Sequence, residues 1–203
     1  MNHDSTTATS AELFLAQLRS QTAASHKNLE ELPVSTSLLS SNVTKESYAH
    51  YLTLMHDVVA DTEARIFPLT NSIIPDLAER RKLAAITADL KHLGVTKDNY
   101  KPIYNLPENV TTAFALGILY VIEGSSLGGR FILNNINSVL AFDENGGATY
   151  FAGYGNKSGS LWKHFLQNLT VYQTQHDCAE EIIAGADFAF RSVHEHFSEN
   201  SRA

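Results

Sequence analysis

Apolar residues recur at helical spacing along nearly the whole chain, and this periodicity limits the folds open to it. Side chains three and four apart meet on one face of a helix, whereas a half-buried strand needs sustained alternation, which no stretch shows. With 203 residues, 43% of them hydrophobic, the chain is long enough to bury one continuous core. We therefore predict an all-α fold, a single-domain bundle of six or seven helices.

Start and stop signals place the individual helices. Pro33 ends the first, a Thr44–Ser47 pair opens the second, and Pro75 and Gly94 bracket the third. The predicted helices cover about 10–32, 44–67, 75–94, 107–140, 161–172 and 182–197, with a Gly-rich loop before the fifth. Residues 1–9 are predicted to be a flexible N-terminal segment, and residues 10–203 a single helical domain.

Charge and composition exclude several classes of function. The chain carries 15 Lys and Arg against 22 Asp and Glu, a formal net charge of −7. Without a basic stripe we expect no nucleic-acid partner, and without a long uninterrupted apolar segment we expect no membrane insertion. The single cysteine, Cys178, and the absence of a signal-peptide pattern at the start favour a cytoplasmic protein.

The stretch 117–130, "GILYVIEGSSLGGR", places glycines inside an apolar helix. Each costs roughly 0.5–1 kcal/mol relative to Ala in a helix interior, so a compensating role is expected. Gly124 and Gly128 lie four apart on one face, and Gly129 would widen that bare surface. Three interpretations follow from the geometry alone: close packing against another helix, a helix end, or a surface for a flat ligand.

A second candidate feature lies in the first helix, in "TAASHKNLEE". His26 has Glu30 four residues after it and Thr22 four residues before it, and Arg19 lies two turns earlier on the same face. An imidazole that binds a metal usually donates its other N–H to a carboxylate or carbonyl group, a role open to Glu30. Taken alone, a His–Glu pair at this spacing is more typical of an ordinary solvated helix surface.

Together these features resemble the biliverdin-producing heme oxygenases, in particular their bacterial branch. "SHKNLEE" resembles the family's proximal-histidine segment, and "YVIEGSSLGGR" resembles its distal helix. "YFAGYGNKSGSLWKHFLQNL" resembles the segment that follows. The resemblance extends from about Leu18 to the last helix, with the segments in the family's order and spacing.

The resemblance implies that heme lies between the first helix and the distal helix. His26 Nε2 would ligate the iron and Nδ1–H would be donated to Glu30, with Thr22 on the same heme-binding face. The backbone at Gly124, Gly128 and Gly129 would form the distal wall. Cationic Arg19 and Lys163 would bind the anionic propionates, and Tyr120 would add a hydroxyl.

The resemblance also implies a reaction and its partners. Heme would be cleaved with O2 and reducing electrons to biliverdin, CO and ferrous iron, the electrons coming from a ferredoxin, a flavodoxin-like protein or a reductase. Where mammalian members carry a carboxylate after the first distal glycine, this chain has Ser125. We expect Ser125, or a carbonyl group near Gly124, to hold water on the distal side.

Two other functions stay open from the sequence. A heme carrier or sensor on the same fold would bind the same ligand without cleaving it. A structural helical protein that binds no heme would make the pairing of His26 with Gly124 accidental.

Overall fold

The computed structural model describes residues 9–200, which form helices and loops without a β-strand in that range, and this confirms the predicted all-α class. The predicted flexible segment lies, apart from Thr9, outside the described residues. The α-helices are α1 (Ser10–Glu30), α2 (Pro33–Ser37), α3 (Lys45–Asp61), α4 (Phe67–Thr70), α5 (Leu83–His92), α6 (Thr112–Leu140), α7 (Thr149–Ala152), α8 (Ser158–His176) and α9 (Ala179–Asn200). A π-helical turn over Thr62–Ile66 joins α3 to α4, and 3₁₀ turns cover Leu77–Arg80 and Gly155–Lys157.

Side-chain caps fix the starts of the first two long helices. The Thr9 hydroxyl accepts the Glu12 N–H, and the Glu12 carboxylate accepts the Thr9 N–H, so both ends of the capping box are closed. Thr44 and Ser47 form the same reciprocal pair at the start of α3. Both helices therefore begin within one residue of the predicted position.

The predicted helix over 75–94 is divided in the structure. A 3₁₀ turn at Leu77–Arg80 is followed by extended backbone at Arg81, and α5 begins only at Leu83. The Glu63 carboxylate causes the new start, because its Oε1 accepts the N–H groups of Lys82 at 2.6 Å and Leu83 at 2.9 Å. It thus binds backbone donors that have no partner within α5.

The long apolar helix begins later than predicted, at Thr112 instead of Pro107. The Thr111 hydroxyl accepts the N–H of Phe114 and caps α6 there. By length and composition alone α6 could cross a membrane, but 44% of its apolar window is buried inside the fold. It packs against α4, α7, α8 and α9.

Helices α6 and α9 cross with their backbones in direct proximity. A Cβ on Gly117 would meet the Ile182 carbonyl oxygen, and a Cβ on Gly185 would meet the Phe114 carbonyl oxygen. Only glycine fits at both positions. The first half of α6 is therefore held firmly against α9, and α1 packs on another side of α9.

We predict that Gly185→Ala destabilises the fold by about 1–3 kcal/mol or more, because the new methyl group overpacks the crossing. The measurement is the change in free energy of unfolding with denaturant. Gly159→Ala is the matched control. A Cβ there meets nothing within 4 Å, so we expect alanine at this helical position to raise the free energy of unfolding by about 0.5–1 kcal/mol. Equal stability of the two variants would contradict the close crossing.

Candidate active site

His26 lies on the exposed side of α1, and α9 holds it in place. Its side chain is 54% exposed, and its Nε2 lies 3.3 Å from Oε1 of Glu30. The imidazole packs on the Phe190 ring with centroids 5.3 Å apart, and the neighbouring Ser25 hydroxyl donates to Asp187 at 2.6 Å. The sequence predicts that Nδ1 pairs with Glu30, whereas in this structure Nε2 occupies that position.

Thr22 and Arg19 differ in what they present to solvent. Thr22 is buried, and its hydroxyl donates to the Leu18 carbonyl oxygen at 2.8 Å, so it has turned into its own helix. Arg19 is exposed and hydrogen-bonds to Tyr120 on α6. Burial raises the pKa of Tyr120, and the Arg19 charge and hydrogen bond partly offset this rise. The structure thus separates Thr22 from the face where it was predicted.

One face of α6 carries an exposed strip, which we define as Gly124, Leu127, Gly128 and Phe131. The spacing i, i+3, i+4, i+7 aligns these residues along the helix. Phe131 is 74% exposed, and a Cβ on Gly128 would meet nothing within 4 Å. The exposed strip is therefore an apolar surface with bare backbone at its centre.

Gly129 lies on another side of α6 and is not part of the exposed strip. It is buried, and a Cβ there would lie 2.9 Å from the Phe151 carbonyl oxygen. Five residues correspond to about 500° of helical rotation, which turns Gly129 well away from Gly124. Its glycine is explained by close packing against α7.

The two ends of the exposed strip are bound to the segment that contains α1 and α2. Tyr120, one turn before Gly124, hydrogen-bonds to Arg19. Asn135, one turn after Phe131, donates to the carbonyl oxygens of Leu38 at 2.8 Å and Ser40 at 3.0 Å. We infer from these two contacts that α1 and α6 run in the same general direction, although α1 packs mainly on α9 and α8.

The Arg19–Tyr120 contact allows the position of His26 along α1 to be compared with positions along the exposed strip. His26 follows Arg19 by seven residues, and Leu127 follows Tyr120 by seven, a rise of about 10 Å along each helix. We infer that His26 lies level with Leu127 and Gly128. We call the space between this part of α1 and the exposed strip the slot.

Aromatic residues close one end of the slot. A Cβ on Gly124 would lie 3.4 Å from Cη2 of Trp162, whose ring packs against Tyr120 at 5.4 Å and Phe165 at 5.5 Å between centroids. Lys163, the next residue on α8, is exposed. Lys163 thus follows the tryptophan that packs against Tyr120, the residue that hydrogen-bonds to Arg19.

Ser125 faces the side of α6 opposite Leu127. Its hydroxyl donates to the Ile122 carbonyl oxygen at 2.8 Å and hydrogen-bonds to Tyr150. Burial raises the pKa of Tyr150, so this phenol stays protonated near neutral pH. Ser125 also lines a cavity of about 50 Å³ together with Tyr51, Lys82 and other residues of α6 and α7.

The structure contains a buried ionic cluster directly before the exposed strip, which the sequence analysis did not predict. Glu123 accepts hydrogen bonds from Arg80, Lys82 and Tyr154. One signal was present: Glu123 is the single charged residue in the apolar run before Gly124. A charge at such a position requires a partner in the folded protein.

The donor set restricts which metal the slot could accept. Within residues 9–200, no group of three or more His, Cys, Asp or Glu side chains could hold a bare metal ion. A lone exposed imidazole suits a metal that arrives with most of its coordination already supplied by a ligand. The apolar exposed strip suits a flat, largely apolar ligand, and Arg19 and Lys163 suit acidic groups at its edge. The residues present therefore fit a metalloporphyrin.

Comparison with known proteins matches the chain to one family. A family model described as heme oxygenase matches residues 12–199. The heme oxygenase PigA of Pseudomonas aeruginosa is 30% identical over 179 residues, which are 81% of each chain.

Solved structures agree with this match. The NO- and CO-bound heme oxygenase of Neisseria meningitidis superposes with a TM-score of 0.76 and 28% identity, over 92% of this chain and 91% of that one. The heme complex of heme oxygenase-1 from the cyanobacterium Synechocystis shares the fold, with a TM-score of 0.70 and 18% identity over 92% and 91% of the two chains. The chain belongs to the heme oxygenase family.

Proposed function

We propose that the chain cleaves heme with O2 and reducing electrons to biliverdin, CO and ferrous iron, with the heme bound in the slot. As a heme oxygenase it is an enzyme, an oxidoreductase whose substrate is heme. One observation supports the site above all others. An exposed, partly side-chain-free strip of α6 is bound at both ends to the segment that carries His26.

His26 is the proposed ligand of the heme iron. Its imidazole is exposed, and Phe190 and the Ser25–Asp187 hydrogen bond support it from α9. A turn of the ring would direct Nε2 into the slot and leave Nδ1–H for Glu30, the arrangement that increases the basicity of a ligating imidazole.

The exposed strip is proposed to form the distal wall. Bound heme supplies the iron that activates O2 and the ring that is oxidised. At Gly124 and Gly128 the backbone can approach the ligand without an intervening side chain, while Leu127 and Phe131 offer apolar contacts. A close wall on this side restricts where on the ring the reaction occurs.

Arg19, Tyr120 and Lys163 are proposed to bind the heme propionates. The Arg19–Tyr120 hydrogen bond places a cation and a phenol at one end of the slot, and Lys163 follows Trp162 at the same end. Charge-assisted hydrogen bonds to carboxylates are about twice as strong as neutral ones. These contacts would fix the rotation of the heme and thereby the position of cleavage.

Ser125 is proposed to hold water behind the distal wall, on the side of α6 away from the slot. The cavity beside it has a volume of about 50 Å³, and a water molecule requires roughly 10–15 Å³ of such space. The hydroxyl groups of Ser125, Tyr51 and Tyr150 and the ammonium group of Lys82 provide the polar partners that buried water needs. This group can supply protons even though the family's mammalian carboxylate is absent.

The reaction requires a reductant, and we propose a ferredoxin, a flavodoxin-like protein or a reductase in the cytoplasm. The lone, partly buried Cys178 is a free thiol, as expected in a reducing compartment. The donor would approach the open side of the slot, where exposed cations lie near α8.

The experiment that tests this function is a hemin titration followed by turnover. We expect a Soret band typical of a histidine-ligated heme, and conversion to a biliverdin spectrum when ascorbate or a reductase is added with O2. A stable Soret band under these conditions indicates a carrier or sensor instead. No Soret band at all contradicts both heme-binding functions.

His26→Ala is predicted to abolish the histidine-ligated spectrum while leaving the fold intact, because the exposed ring contributes little buried area. Absorption spectroscopy and thermal unfolding check the two parts, and added imidazole should restore a ligated spectrum. His176→Ala, at the exposed end of α8, is the matched control and should keep the wild-type spectrum. An unchanged spectrum in His26→Ala would exclude His26 as the ligand.

A further inference from the structure

The cluster around Glu123 is almost completely buried at the point where the exposed strip begins. Glu123 is 1% exposed and directly precedes Gly124. Its carboxylate accepts Nη1 of Arg80 at 2.5 Å, Nζ of Lys82 at 2.9 Å and the Tyr154 hydroxyl at 2.9 Å. Burial and the Glu123 charge raise the pKa of Tyr154, so its hydroxyl remains a donor.

The two cations of the cluster bind different sets of partners. Arg80 divides its guanidinium between Glu123 and Asp76, which it binds through Nε and Nη2 at 2.8 Å each. Lys82 binds Glu123, and its ammonium lies 4.7 Å from the centre of the Tyr154 ring. Two cations thus balance two carboxylates, and removal of the Lys82 charge would leave a buried negative charge in excess.

Lys82 is itself fixed at both ends of its side chain. Its backbone N–H donates to Glu63 at 2.6 Å, directly before α5, and its Nζ reaches α6. It connects the start of α5 to the residue before the glycines. The same side chain lines the cavity of about 50 Å³ behind Ser125, Ser126 and Gly129.

The turn of α6 that follows Glu123 packs closely against its neighbours at Gly129, where the backbone meets Phe151 of α7. One side carries Gly124, Gly128 and the exposed Phe131, and the opposite side faces the cavity. Glycine also weakens this part of the helix. Besides the contact of Gly129 with Phe151, its position depends on the ionic cluster at Glu123 and on the Asn135 hydrogen bonds.

We propose that Lys82 and Glu123 are positioning residues that hold the start of the exposed strip at a fixed distance from α1. The effect on heme binding rests on the proposed function, because that distance is then the height of the slot. The effect on α6 is a property of the heme-free protein. Loss of the Lys82 charge leaves Glu123 held by Arg80 and Tyr154 alone and lets this turn of α6 open more often.

Hydrogen–deuterium exchange of the heme-free protein tests the proposal. Lys82→Met keeps the length of the side chain and removes the charge. We expect amides in residues 125–129 to exchange about tenfold faster, while amides in α9 change little. Arg81→Met is the matched control, because Arg81 is the next residue along the same loop but pairs with Glu63 instead of α6. Equal exchange in residues 125–129 for the two variants overturns the proposal.

Glu123→Gln provides a second, milder change if Lys82→Met fails to fold. It keeps the shape of the side chain and is expected to speed exchange in the same residues. Wild-type exchange rates there would overturn the proposal.

Hemin binding supplies a further readout. Hemin should dissociate about tenfold faster from Lys82→Met than from Arg81→Met, and Lys82→Arg should restore most of the difference. Dissociation at equal rates overturns the link to the slot. If the wild-type protein binds no hemin, the proposed function fails, while the exchange experiment still decides whether Lys82 holds α6.

Discussion

The close crossing of α6 and α9 is the constraint on which the rest of the fold depends. Backbone meets backbone at Gly117 and Gly185, so the first half of α6 has a single position on α9. The same α9 supports α1 through Phe190 and Asp187. Helices α1 and α6 both pack on α9, and under the proposed function this shared support sets the distance between the two walls of the slot.

Glycine serves three distinct purposes within α6. At Gly117 it allows a close helix crossing, and at Gly129 it allows close packing against Phe151. At Gly128 there is nothing for a side chain to meet, so packing within this protein does not explain it. Under the proposed function heme fills this space, in keeping with the heme oxygenase family to which the chain belongs.

Much of the fold could be predicted from the sequence because its signals are local. Capping pairs at Thr9 and Thr44 and apolar periodicity define helices without reference to the rest of the chain. The break before α5 could not be predicted, since Glu63 imposes it from a distant element. The pairing of Arg80 and Lys82 with Glu123 is equally non-local.

For the candidate site residues, too, only local arrangements could be predicted. Helical spacing brings His26 near Glu30 and aligns Gly124 with Gly128, and the structure shows both arrangements. Spacing alone does not say which way a residue faces in the assembled bundle. For that reason Thr22 lies in the core and Gly129 against α7, although both were expected at the ligand.

Under the proposed function, the space between His26 and the exposed strip is the binding site of a ligand. The most direct measurement is hemin affinity in Gly128→Leu, compared with Ser138→Leu beyond the Asn135 hydrogen bonds. We expect Gly128→Leu to fold with at least wild-type stability, because its side chain enters open space and leucine favours a helix. We also expect the leucine to clash with bound hemin and to weaken hemin binding by about a hundredfold or more, which corresponds to roughly 3 kcal/mol. Wild-type hemin affinity in Gly128→Leu would contradict the proposed position of heme beside Gly128.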